Sequence, residues 1–402
     1  MKTMRGSNHT GMRQFNERTV LRAIRHAGAI PKADLARLTQ LSSQTVSIIV
    51  NRLLEDGLLS KQERIRGKIG QPSVPLSIHP DGAYSIGLQV GRRSLEVVVT
   101  DFLGTLRHQW QHTYPFPSPA EVLPKIKEGL SVMRRRLGAD AWKRTVGIGL
   151  SAPLALHQWG DLMGKDAQKA MADWEHLDLV QEVQSLTALP VEFAKDTTAA
   201  CVAELVQGLG RDVPNFLYVF VGTFVGGGLV TDGRIVNGPR GNAGAIGSLP
   251  MGRPATRDVH SPPPQLLQLA SGWQLEQALM AAGHDPLLVQ QDEIMESRFK
   301  AFTQPWLAQA SRALAMSATS AAALLDIDAV VIDGSLSPQL MRVLIEHTQA
   351  QLAEFNFEGI HQPQVLTGRV GSHARALGGA LLPLHAQFFP DKDIFLKQDP
   401  VA

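Results

Sequence analysis

The stretch Gln40-Leu-Ser-Ser-Gln-Thr-Val-Ser-Ile-Ile-Val-Asn-Arg-Leu-Leu-Glu-Asp-Gly57 decides how the N-terminal part of this chain folds. Ser42 is a candidate helix N-cap, because its hydroxyl can accept from N–H groups that the first turn leaves without partners. Val46, Ile49, Val50, Leu53 and Leu54 follow at i, i+3, i+4, i+7 and i+8, which is one apolar helical face. Gly57 stands where a helix ends in the left-handed conformation. The opposite face carries Ser43, Gln44, Thr45, Ser47, Asn51 and Arg52. Short polar side chains suit the reading of base edges, and the arginine suits a phosphate. An ordinary amphipathic surface helix shows the same stripe, so the neighbouring sequence has to decide.

Upstream, Asn16 to His26 reads as a helix with Val20, Leu21 and Ile24 inward, closed by Gly28. Pro31 opens a second helix, where its missing N–H costs nothing. Three short helices with a tight second turn form a helix-turn-helix, and the third is the recognition helix. Downstream, Leu58–Gln62 and Val74–Ile78 read as strands. The segment between them carries Arg64, Arg66 and Lys68 on glycine-rich backbone, a wing able to reach phosphates or the minor groove. Charge agrees. Residues 1–80 hold 13 Lys+Arg and 5 Asp+Glu, whereas the other 322 hold 26 and 32. A basic module joined to an acidic one points to a polyanion partner for the first alone. Residues 1–10 are expected to be disordered and the winged helix to occupy 12–79.

The whole chain has 402 residues, too many for one core. Cys201 is the sole cysteine, so neither an internal disulfide nor a cysteine-built zinc site can form. No apolar run follows Met1-Lys-Thr-Met-Arg5, and Ala313–Leu325 is too short to span a bilayer. A cytoplasmic protein with no membrane partner is expected.

His79-Pro-Asp-Gly82 breaks the chain and marks a domain boundary. Beyond it, strands are expected at Ser85–Val90, Leu95–Thr100, Leu106–His112, Val146–Leu150 and Pro190–Ala194, with helices near 119–137 and 198–207. The second half restarts in the same way. Strand Phe216–Val221 leads to a glycine-rich turn, Gly222 to Gly228, and then to an Asp232-Gly233 hairpin. Helices are expected near 272–282, 303–325, 338–355 and 374–387, with strands at Ala329–Ile332 and Gln364–Leu366. This order predicts mixed sheets flanked by helices. The predicted class is α/β: a winged helix-turn-helix followed by a two-lobed actin-like, sugar-kinase-like domain. Its lobes are placed at 82–210 and 211–402, and the terminal helix is a candidate to pack back on the first.

Over nearly its whole length the chain resembles the ROK family of repressors and sugar kinases. Asn16-Glu-Arg, Leu41-Ser…Thr45-Val46 and Gly67…Gly70-Gln-Pro…Pro75 resemble the family's repressor branch. Ile86-Gly-Leu-Gln-Val-Gly91 resembles its first phosphate motif, and Gly222-Thr…Gly226-Gly-Gly228 its second. Lys195-Asp196 resembles the pair that contains the kinase base. Gly241-Asn-Ala-Gly-Ala-Ile-Gly247 resembles the sugar-binding segment, and Asp333-Gly-Ser the adenosine motif.

The resemblance implies ligand contacts from Lys195, Asp196, Asn242, Gly244 and Ser248. It implies phosphate-motif remnants at Gln89, Gly91, Gly222, Thr223, Gly226 and Gly227. It also exposes departures. Gln89 replaces an Asp that helps place Mg²⁺-ATP, and an amide cannot supply that charge. Ala245 and Ser248 replace the family's Glu and His. The zinc-binding cysteines are missing from Met251–Pro264, where His260 alone cannot form a site. Lys195 stands in place of an Asn, which fits either an acidic ligand or a Lys–Asp pair that closes the pocket. Asp196 is then a vestigial base, or simply an acidic residue favoured at a helix start.

The expected function is a transcriptional regulator, a repressor of carbohydrate genes. It binds operator DNA as a homodimer or homotetramer and senses a sugar-like effector. Neither zinc nor ATP is expected as a cofactor. Two other readings stand beside it: an active carbohydrate kinase carrying a DNA-binding module, and a regulator whose large domain only dimerises.

Overall fold

The computed structural model describes residues 9–63, 74–154, 156, 164–252 and 262–389. The N-terminal module comprises α1 (His9–Ala27), α2 (Lys32–Thr39), α3 (Ser43–Glu55), β1 (Leu59–Lys61) and β2 (Leu76–Ile78). Ser42 caps α3, its Oγ accepting from Thr45 N at 3.1 Å. Val46, Ile49, Val50 and Leu53 are buried on the predicted face, while Leu54 is only partly covered. Gly57 has φ +70°. β1 and β2 pair antiparallel, Leu59 opposite Ile78, which sets the base of the wing. The wing residues Arg64, Arg66 and Lys68 lie outside the described residues.

Two local expectations are corrected. α1 begins at His9, within the stretch expected to be disordered. Pro31 is the N-cap of α2, not its first helical residue. The break at His79–Gly82 is also no loose linker. It is a 3₁₀ turn (Pro80–Gly82) whose Pro80 carbonyl accepts from Phe102 N at 2.9 Å.

The rest of the chain folds as two similar lobes. The first has β3 (Tyr84–Val90), β4 (Ser94–Asp101), β5 (Leu106–Thr113), α4 (Pro119–Leu137), α5 (Ala139–Lys143), β6 (Thr145–Ala152), α6 (Lys165–Met171), α7 (Leu179–Ser185), β7 (Val191–Lys195) and α8 (Asp196–Gln207). The second has β8 (Phe216–Val221), β9 (Val225–Thr231), β10 (Arg234–Val236), α9 (Leu266–Ala270), α10 (Gly272–Ala281), α11 (Lys300–Leu325), β11 (Ala329–Gly334), α12 (Pro338–Leu352), β12 (Gln364–Thr367) and α13 (Ala374–Phe388). The sheet orders are β5-β4-β3-β6-β7 and β10-β9-β8-β11-β12. In both, three antiparallel strands are followed by two parallel ones, so the second lobe repeats the first.

The glycine-rich segment differs from its expectation. Only Gly222 to Phe224 turn. Gly226, Gly227 and Gly228 lie inside β9, opposite Phe220, Val219 and Tyr218. Gly226 and Gly228 are glycines because α8 lies on them: a Cβ at Gly226 would come 2.8 Å from Thr197 Cγ2, and one at Gly228 would come 2.6 Å from Cys201 Cβ, whereas a Cβ at Gly227 would strike the Tyr218 carbonyl oxygen. Likewise the strand expected at Ala329–Ile332 runs on through Asp333 and Gly334.

α8 and α13 form the layer between the lobes. A Cβ at Gly378 would strike the Ala199 carbonyl oxygen, and one at Gly149 of β6 would strike that of Gly379. Such backbone-to-backbone approach stacks the first sheet, α13, α8 and the second sheet in that order. One apolar cluster runs from Val20, Ile24 and Leu35 of the N-terminal module through Phe102 to Ala200, Leu381 and Leu384. The N-terminal module therefore shares its core with this central layer.

Candidate nucleic-acid interface and effector cleft

On α3, Ser43, Gln44, Asn51 and Arg52 are exposed, and Thr45 and Ser47 are partly so. The face is real, but three of its members already have partners. Thr45 Oγ1 lies 2.8 Å from Ser42 Oγ, so it belongs to the cap. Lys32 Nζ donates to Asn51 Oδ1 at 2.9 Å, pinning the amide to the start of α2. Arg52 is paired with Glu17 of α1 at 2.9 Å and with Asp56 at 3.7 Å. Exposed ion pairs of this kind are weak, typically about 0.2–1 kcal/mol, so a phosphate can compete for Arg52.

The expected ligand residues converge only in part. Lys195 ends β7 and Asp196 opens α8. Lys195 Nζ donates to Asn242 Oδ1 at 3.0 Å, joining the kinase-base segment to the sugar segment. Burial lowers the Lys195 pKa, and nearby Asp196 opposes that shift. Asp196 is buried, accepts from Thr197 N at 2.8 Å, and has Arg375 Nη1 at 3.9 Å. Gly244 (φ +74°) packs against Gly228, where a Cβ would approach backbone at 2.7 Å. It shapes the wall and offers no side chain. Ser248 is exposed at the end of a short 3₁₀ turn.

Sequence reasoning missed Arg375. It sits in the first turn of α13, where a cation opposes the helix dipole. A cation in that place is itself a signal. Its guanidinium lies 4.9 Å from the Phe220 ring centroid, and its carbonyl accepts from Ser151 Oγ at 3.0 Å. Ser151 neighbours Gln89 across the parallel β3–β6 pair. Gln89 is 1% exposed, folded over Gly91, and its Nε2 has no hydrogen-bond partner among the described residues.

The two phosphate-motif turns meet at a third residue that sequence reasoning also missed, Glu276 of α10. Glu276 Oε2 pairs with Arg92 Nη1 at 3.1 Å and with Arg93 Nη2 at 3.3 Å, both from the first turn. Its Oε1 accepts from Thr223 Oγ1 of the second turn at 3.0 Å. The Glu276 side chain is 3% exposed. Arg92 also stacks on Trp273, 4.3 Å from the ring centroid. Burial brings the Arg92 pKa down to about 10, with Glu276 acting in the opposite sense.

A helix N-terminus beside such turns is a ready anion site. Here two of its donors are already used: Gly272 N and Trp273 N donate to the Gly222 and Thr223 carbonyls at 2.8 and 2.9 Å. The signal for Glu276 was legible, since Gly272, Leu275, Glu276 and Leu279 share one buried helical stripe. A carboxylate there requires a partner.

Asp333 of the adenosine-like motif is also turned inward. It accepts from Tyr218 Oη at 3.1 Å and from Gly371 N at 3.0 Å. Burial raises its pKa. A surface cavity of about 530 Å³ lies at Ala322, Asp326 and Gly359–His361, at the other end of β11 from Asp333. Among the described residues no cluster of three or more His, Cys, Asp or Glu side chains is placed to hold a metal, and His260 lies outside them. No described helix is long and apolar enough to cross a membrane.

Fold and site define a class: a winged helix-turn-helix docked on a duplicated actin-like domain of the sugar-kinase type. The ROK family model matches residues 85–386, and a MarR family model matches residues 14–68. The chain belongs to the ROK family, with a MarR-type winged helix at its N-terminus.

An uncharacterized protein of Sinorhizobium fredii is 26% identical over 381 residues, covering 93% of this chain and 92% of that one. A putative xylose repressor of a Caldicellulosiruptor species is 26% identical over 245 residues, and the xylose repressor of Bacillus subtilis is 24% identical over 250. These two matches cover 60% of this chain and 60% and 62% of the repressors. Among solved structures, a ROK family transcriptional regulator homologous to the Escherichia coli MLC protein superposes with a TM-score of 0.71 at 21% identity, covering 94% of this chain and 97% of that one. A ROK hexokinase of Thermus thermophilus superposes at 0.54 and 24% identity, covering 74% of this chain and 97% of that one.

Proposed function

We propose that this protein is a DNA-binding transcriptional regulator, a repressor, whose ROK domain senses a sugar or sugar derivative and does not phosphorylate it. One observation carries the reading: α13 joins the cleft to the DNA-side module. Arg375 in its first turn faces Asp196. At its far end Arg18 of α1 donates to the Phe389 carbonyl at 3.2 Å, and Arg25 lies 5.6 Å from the Phe389 ring centroid. The named repressors among the relatives support the same reading, and their names point to a pentose-like effector.

Lys195, Asp196, Asn242 and Arg375 would meet the effector's polar groups. A ligand that prefers one arrangement of the α8–α13 layer shifts the population of DNA-binding states by its difference in affinity. A homodimer or tetramer would place two recognition helices on one operator. We place the protein in the cytoplasm, with no membrane partner and no zinc or nucleotide cofactor.

The second reading, a kinase with a DNA-binding module, is favoured by Asp196 at the base position and by the ROK kinases among the structural neighbours. Against it stand Gln89, which lacks the carboxylate charge, and Glu276, which already occupies Arg92, Arg93 and Thr223, the groups of the two turns that would have to meet phosphates. The test is ATP-dependent phosphorylation across a sugar panel by the full chain. No turnover is expected. Turnover abolished by Asp196→Asn would establish the kinase reading instead.

A further inference from the structure

α3 carries one residue that its packing does not explain. Ile48 is 64% exposed in the middle of the helix, whereas Val46, Ile49, Val50 and Leu53 fill the core. Its helical neighbours at i−4, i−3, i+3 and i+4 are Gln44, Thr45, Asn51 and Arg52, all polar. Gln44, Ser47, Ile48 and Asn51 form the outward stripe at i, i+3, i+4 and i+7, and Ile48 is inside it. Single exposed aliphatics are common on protein surfaces and need no explanation. This one lies within the only stripe of α3 that a duplex can meet, in a module with 13 Lys+Arg against 5 Asp+Glu over residues 1–80.

On the major-groove edge of DNA, the base pairs present hydrogen-bonding atoms and one apolar substituent, the thymine C5-methyl. Isoleucine can bond to none of the former. Its β-branch also leaves one strongly preferred χ1 in a helix, so its reach is fixed before DNA arrives. We propose that Ile48 is a specificity-determining residue that packs on the C5-methyl of one operator thymine, between the contacts of Gln44 and Asn51. This rests on the operator-reading function proposed above.

The experiment uses the full chain, wild type and Ile48→Ala, in selection from a random duplex library. The wild-type motif is expected to contain a thymine whose preference Ile48→Ala loses, with the rest of the motif retained. Replacing that thymine by deoxyuridine in the wild-type consensus removes only the methyl. Wild-type binding should weaken roughly fourfold, the ratio that matches burial of one methyl group. Ile48→Ala should bind both duplexes alike. An unchanged motif in Ile48→Ala, or an equal uracil effect on both proteins, overturns the assignment. A wild-type chain that enriches no motif overturns the operator reading itself. Because the side chain is exposed, unfolding does not cloud the result, and the uracil arm on the wild-type chain stands without any variant.

Discussion

Glu276 is a buried carboxylate whose loss is expected to be costly. It is the shared acceptor of Arg92 and Arg93, and Arg92 is nearly as buried as the carboxylate itself. Breaking a buried ion pair by removing one partner leaves an uncompensated charge and typically costs about 3–5 kcal/mol. Glu276→Ala should therefore lower stability by that order in urea unfolding, while Arg92→Met/Glu276→Leu together should cost clearly less than the two single changes added. Additivity of the two would show that the groups do not interact.

A second residue sets a pH dependence. Glu96 Oε1 lies 2.8 Å from His373 Nδ1 and raises the histidine pKa above its ordinary value near 6.5. The folded protein thus holds this proton more tightly than the unfolded chain. The stabilisation is full below about pH 6.5, where the unfolded histidine is also protonated, and fades as pH rises through the higher folded pKa. The ring is half-exposed, so the effect is small. Unfolding free energy measured from pH 5.5 to 8.5 should decline less in His373→Gln than in wild type, and identical slopes would contradict this. At this scale the sequence was legible where chemistry is local. Asp196 and Lys195 could be picked out by their motif. The partners of Glu276 could not, because Arg92 lies 184 residues away along the chain.

Among elements, the α8–α13 layer bears the closest approaches. Gly378→Ala would drive a methyl into the backbone of Ala199, which has no rotamer to yield. The variant is expected to be insoluble or grossly unfolded. Gly138→Ala makes a control, since that position (φ +79°, ψ 166°) has nothing within 4 Å and pays only the backbone strain of a conformation that suits glycine, about 1–3 kcal/mol. Circular dichroism and soluble yield separate the two, and comparable behaviour would remove the argument for backbone contact.

The same layer explains what the sequence hid. Gly226-Gly-Gly228 has the composition of a loop, yet it is strand: at Gly226 and Gly228, Thr197 and Cys201 of a helix some thirty residues upstream fill the space that side chains would take, and at Gly227 the Tyr218 carbonyl and Ile246 do. Long amphipathic helices such as α4 and strands bounded by turns, such as β8, were legible to the residue. The helices α5 to α7 were not, since 5 to 7 residues are too few to show a period.

For the whole molecule, the account depends on a rigid join between cleft and winged helix. Arg25 of α1 donates to the Phe102 carbonyl at 2.6 Å and lies over the Phe102 ring at 5.1 Å, and burial brings its pKa down to about 10. Arg25→Ala should leave the fold of each lobe and the effector affinity nearly intact but weaken the coupling between effector and operator, which in allosteric proteins is typically about 1–3 kcal/mol. The check is operator affinity with and without effector in both proteins. Undiminished coupling would place the communication elsewhere.

The most direct measurement is the fluorescence anisotropy of a selected operator duplex bound to the full chain, titrated with a panel of sugars and sugar derivatives, each with and without Mg²⁺-ATP. The expected result is a salt-sensitive complex that one ligand shifts strongly, at a concentration that Mg²⁺-ATP does not change, with the added ligand recovered unmodified. A complex that no ligand shifts, or a shift that appears only as ATP is consumed and the sugar is phosphorylated, would contradict the reading of this ROK domain as a sensor.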